Sequence, residues 1–82
     1  MQLKELANQT KIIVGIKQST KALTTDRAKI VFVANDADPL IIQKVIELAK
    51  DKKIEIVYAE SMKELGRACN IDVGAATAVI EK

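Results

Sequence analysis

The stretch "KIVFVA", residues 29–34, holds five apolar residues in succession, so a strand built from it has no polar face to show to water. Only a central position in a sheet, with helices packed on both sides, satisfies such a strand. The other elements must supply that cover within 82 residues. A chain of this size is expected to form one domain over 1–82 and to bury roughly 60–65% of its unfolded surface. Its 49% apolar content is enough for a single core without staples.

The remaining segments alternate. Leu3, Leu6 and Ala7 are spaced for one side of a short first helix, and "KIIV" (11–14) reads as a short buried strand. Gly15 opens a helix through about Leu23, and "TTDRA" forms a turn before the central strand. Asp38 followed by Pro39 is a helix start, because the carboxylate can cap and proline fits the first helical position. Leu40, Ile41, Ile42, Val45, Ile46, Leu48 and Ala49 carry that helix to about Lys52. "EIVY" (55–58) is the third strand. "SMKE" (61–64) has the spacing of a capping box for a helix through about Cys69. "NIDVG" (70–74) is a loop, and "AATAVI" (75–80) is the last strand. The second and third strands are joined by a helix, which predicts a parallel pair with a right-handed crossover. A four-stranded sheet between helical layers is the economical architecture. Periodicity does not give the strand order.

Composition argues against catalysis. The chain has no histidine and one cysteine, which removes Ser-His and Cys-His pairs, the usual structural zinc sets and any internal disulfide. No cofactor or metal is expected, and a non-enzyme in a reducing cytoplasm fits best. Cys69 reads as a small buried hydrophobe at a helix C-terminus, and Asp36 and Asp38 as a turn residue followed by a cap. The three glycines are scattered, forming neither a P-loop nor a dinucleotide fingerprint. The N-terminus has charges where a signal peptide needs its apolar run, and no segment is long and apolar enough for a membrane span. Phe32 and Tyr58, the only aromatics, fall inside predicted strands, so no platform of exposed rings is expected for stacking bases. Charge is polarised along the chain. Residues 1–30 carry six basic against two acidic groups, and residues 31–82 carry seven against nine. That asymmetry points to an anionic partner for the first third.

The segment that could meet it is "IIVGIKQSTKAL" (12–23). Glycine at a helix entrance lets a ligand approach the backbone, and the free N–H groups of the first turn suit a phosphate. Lys17 and Lys21 share one face, with Gln18 beside the first. Lysine and glutamine are residue types that read base edges.

Three segments, "GIKQSTKAL", "VANDADPLII" and "SMKELGRACNIDVGAA", resemble the kink-turn-binding family of small ribosomal proteins, of the archaeal large-subunit and box C/D-binding type. The likeness covers residues 3–80 in order, and the shortness of the chain is similar to the family's bacterial branch. The resemblance implies an α/β fold (α+β in strict usage), a three-layer α-β-α sandwich around a mixed four-stranded sheet. It implies recognition of RNA kink-turns, bent duplexes built around tandem sheared G·A pairs, whose exposed base edges a helix end can reach. Carried over by position, Gly15 and Ile16 approach the backbone, Lys17 and Gln18 contact the G·A bases, and Lys21 adds a base or phosphate contact. Asp38 and Ile42 match residues near the bulged nucleotide. Ile71, Asp72, Val73 and Gly74 match the loop that packs on extrahelical bases.

There are departures. Lys17-Gln18 stands where many relatives carry Asn-Glu, Ile13 and Val14 replace basic residues, and Gly74 replaces a proline, which gives the loop more freedom. Gly66 and Ala68 read as helix-packing residues. The expected partner is a structured RNA with a kink-turn (ribosomal RNA, a riboswitch or a messenger-RNA leader), bound by a monomer on or off the ribosome. The rival reading is a protein-assembly subunit that keeps the fold without the RNA.

Overall fold

In the computed structural model, which describes residues 11–82, the central strand decides the layering. The elements are β1 (Ile12–Val14), α1 (Ile16–Thr24), β2 (Ala28–Ala34), α2 (Pro39–Asp51), β3 (Glu55–Ala59), α3 (Met62–Ala68) and β4 (Thr77–Glu81). Ile30, Phe32 and Ala34 of β2 point into one core with Leu65, Ala78 and Ile80, beneath α3. The alternate residues Val31 and Val33 point into a second core with Ala22, Leu23, Val45, Ala49 and Val79, beneath α1 and α2. Both faces of β2 are therefore sealed, as its uninterrupted apolar run requires. The result is an α-β-α sandwich. The helix expected around Leu3, Leu6 and Ala7 lies outside the described residues.

The sheet order is β1-β4-β2-β3. β2 and β3 are parallel, with Val31 opposite Ile56 and Val33 opposite Tyr58. β4 runs antiparallel to both of its neighbours, β1 and β2. β1, β2 and β3 consequently point the same way, and each is followed at its C-terminal end by a helix. The N-termini of α1, α2 and α3 thus all gather at one end of the sheet, where β4 begins.

Boundaries shift slightly from the sequence reading. β4 starts at Thr77 rather than residue 75, because Ala75 donates its N–H to the Met62 carbonyl (2.9 Å) instead of joining the ladder. β1 is half-buried rather than buried, since it is an edge strand. The other edge corrects a second expectation. Tyr58 lies within β3 as predicted, yet it is 53% exposed because β3 is an edge strand and no described strand or helix closes that side of it.

The three described helices end alike. The residue after each C-cap is left-handed: Asp26, Lys53 and Asn70, with φ near +60°. The following N–H reaches back to close a Schellman motif, from Arg27 to Ala22, Ile54 to Ala49 and Ile71 to Gly66. Glycine usually occupies this position, so the motifs left no glycine signal in the sequence.

Candidate nucleic-acid interface

Three helix N-termini at one pole bring three positive dipole ends together, each with orphan N–H donors. Two of them are already served by side chains of the chain itself. At α2, Asp38 Oδ1 accepts from Leu40 N (2.9 Å), as the Asp-Pro pair predicts. At α3, Ser61 Oγ accepts from Glu64 N (3.0 Å), which is the hydroxyl half of the expected capping box. A further α3 donor, Met62 N, is taken by Asp36 Oδ1 at 2.7 Å, across 26 residues of sequence. Sequence reading missed that bond: its only trace was a second aspartate two residues before a cap. The close carboxylate pair is thus divided between two helices. Among the described residues, no group of three or more His, Cys, Asp or Glu could hold a metal ion.

The α1 tip is different. Its N-cap is Gly15, and no side chain caps it. Gly15 has φ 108° and ψ 156°, a conformation open essentially to glycine alone. Nothing lies within 4 Å of where its Cβ would stand, so backbone geometry rather than crowding calls for glycine there. The tip is held firmly from behind. Gly15 N donates to the Thr77 carbonyl (3.0 Å), and Ser19 N returns to the Gly15 carbonyl (2.9 Å). In addition, the fully buried Thr77 hydroxyl donates to the fully buried Ser19 hydroxyl (3.0 Å). The start of β4 therefore fixes the position of α1, while Lys17, Gln18 and Lys21 remain exposed.

The loop after α3 runs back along that helix to the same pole. A Cβ on Gly66 would overlap the Val73 carbonyl oxygen, and one on Gly74 would meet Met62 Cβ at 3.1 Å. Close backbone packing thus holds the loop against α3, offsetting the freedom that glycine gives at position 74. Asp72, Val73 and Gly74 are exposed, with Val73 at 70%. Leu40 (74%) and Met62 (38%) add exposed apolar surface at the N-termini of α2 and α3.

The other sequence-derived residues are placed less openly. Ile16 is half-buried, Ile71 packs against the core under α3, and Ile42 touches both cores. The Asp38 carboxylate is engaged as a cap. Cys69 is half-buried, and burial raises its thiol pKa above the usual value.

The whole chain, residues 1–82, matches the family described as ribosomal protein L7Ae/L30e/S12e/Gadd45. An RNA-binding protein of Halalkalibacterium halodurans is 43% identical over 82 residues, covering 100% of both chains. The large ribosomal subunit protein eL8 of Halobacterium salinarum is 43% identical over 67 residues, 80% of this chain and 56% of that protein. Among solved structures, a Giardia lamblia 15.5kD RNA binding protein superposes with a TM-score of 0.86 at 33% identity, covering 98% of this chain and 68% of that one. With the match spanning every residue and the sandwich shared, the chain belongs to the ribosomal protein L7Ae/L30e/S12e/Gadd45 family.

Proposed function

We propose that this protein binds RNA and recognises kink-turns, inserting the α1 tip where sheared G·A pairs expose their edges and resting the 71–74 loop on unstacked bases. One observation carries the reading: of three helix N-termini at one pole, α1 alone has no side-chain cap, and it is flanked by exposed Lys17 and Gln18. Free N–H groups there suit phosphate or base acceptors, and lysine and glutamine suit guanine and adenine edges. Exposed Val73 offers an apolar surface for extrahelical bases. Relatives named as RNA-binding proteins, aligned along essentially the full chain, support the same ligand class. In this reading Asp38 and Ile42 act mainly by shaping the start of α2. The protein works without catalysis, as a cytoplasmic monomer, on a ribosomal RNA, a riboswitch or a messenger-RNA leader.

The test is a titration against one kink-turn and a twin with disrupted G·A pairs, at matched ionic strength. Gln18→Ala is expected to weaken binding to the intact motif by about 1–3 kcal/mol, the worth of a bidentate base contact. The disrupted twin should bind wild type and variant alike. Equal losses on both RNAs would remove the base-reading role from Gln18.

A further inference from the structure

Among the described residues, the pole that carries the α1 tip is poorly supplied with cations. Asp36, Asp38 and Glu60 are exposed there against Lys17 and Lys63. A polyanion held only at that end would gain little from counterion release, which dominates affinity for nucleic acid. The cations lie along one side. Between α1 and the edge strand β1 runs a groove lined by Gln18, Lys21, Thr25, Arg27 and Glu81. Arg27 and Glu81 also border a second concavity of about 400 Å³, which adds Lys11 and Lys82. The two hollows share these residues and form one track, from the first turn of α1 to the opposite pole.

Backbone pairing fixes the length of this track. At its upper end, Gly15 N bonds the Thr77 carbonyl; at its lower end, Glu81 N bonds the Lys11 carbonyl (2.9 Å) and Lys82 N the Arg27 carbonyl (2.9 Å). The strand from Thr77 to Glu81 spans about 14 Å at ~3.4 Å per residue. Glu81 sits 3.7 Å from Arg27, and Asp26, which also borders the larger hollow, is paired with Lys52 at 3.1 Å. Lys11, Lys21 and Lys82 have no ion pair among the described residues.

We propose that this track holds the phosphate backbone of one helical arm of the bound RNA, so that the α1 tip reads bases while Lys21, Arg27, Lys11 and Lys82 neutralise the arm leading away from them. The inference rests on the RNA-binding reading above and extends it to a surface that shares only Gln18 and Lys21 with the base-reading site.

The test measures affinity against salt concentration for wild type and the double variant Lys11→Gln/Lys82→Gln. The probes are a kink-turn with two long arms and two versions with one arm or the other shortened. Both substitutions keep the backbone N–H and carbonyl groups that join the strands. On the long-armed RNA, the log–log slope of the double variant should be shallower by about 1.4–1.8, two contacts at ~0.7–0.9 each. Shortening one particular arm should flatten the wild-type slope similarly and abolish the difference from the variant. Lys50→Gln, in the last turn of α2, should leave the slope unchanged and so exclude a general effect of net charge. Equal slopes for wild type and double variant, or a difference that survives shortening of either arm, overturns the track. The G·A-disrupted twin reports separately on the tip: equal affinity there counts against kink-turn recognition, whatever the slopes show.

Discussion

Gly66→Ala separates packing from propensity inside α3. Alanine is the better helix former, and at an ordinary exposed position the change would add about 1 kcal/mol of stability. At position 66, however, a Cβ would overlap the Val73 carbonyl oxygen, with the carbonyl carbon 3.1 Å away and Gly74 Cα 3.2 Å away. These are backbone atoms, so no side-chain rotation relieves the overlap. Restoring a normal separation of ~3.5 Å or more requires the loop to move by well over ~1 Å. Overpacking of this kind costs about 1–3 kcal/mol. Set against the helix gain, a net loss of about 1–2 kcal/mol is expected in the upper part of that range, equivalent to a fall in Tm of roughly 4–16 °C for a domain of this size. Thermal and urea unfolding followed by circular dichroism measure it. The displaced residues, Val73 and Gly74, belong to the proposed interface, so kink-turn affinity should fall under conditions where the variant is still fully folded. An alanine variant as stable as wild type, or more so, would refute the close-packing reasoning.

Three further outcomes follow from the geometry. Ser19→Ala removes the acceptor of the buried Thr77 hydroxyl and should cost about 1–3 kcal/mol. Adding Thr77→Val should then cost less than its own single effect, since no unpaired hydroxyl remains; a strictly additive double-mutant cycle would contradict the pairing. Asp36→Ala should destabilise by about 1 kcal/mol, as for loss of a helix cap, and hydrogen exchange should quicken at Met62, whose N–H it binds. An unchanged exchange rate there would deny that Asp36 caps α3. Burial holds the Cys69 thiol pKa above its ordinary value. Alkylation by iodoacetamide at mildly alkaline pH should therefore be slower in the folded protein than in urea, and its rate should rise with pH to a higher midpoint. Equal midpoints would show that the thiol is solvated.

The elements governed by short-range chemistry were legible in the sequence. "KIVFVA" demanded a central strand between helical layers, Asp38-Pro39 and Ser61 marked two helix starts, and Gly15 marked the third. Periodicity and capping act within a few residues, so one segment carries its own signal. Resemblance to a known family located the candidate site residues, but it did not say which were open. Ile42 touches both cores, whereas Val73 is exposed, and that distinction comes from packing.

Tertiary structure decided everything that joins distant segments. Inserting β4 antiparallel between β1 and β2 aligns the other three strands, so three helix N-termini meet at one pole. It also sets Thr77 behind Gly15. Asp36 reaches Met62 only because β2 and β3 are neighbours, and Tyr58 is exposed only because β3 falls at an edge. The left-handed residues Asp26, Lys53 and Asn70 end their helices without glycine, since the Schellman hydrogen bonds hold them there. Local propensity fixes what each segment becomes, but the order in which strands pair depends on which surfaces bury each other. That contest is settled between segments far apart in the chain, where no short window of sequence records it.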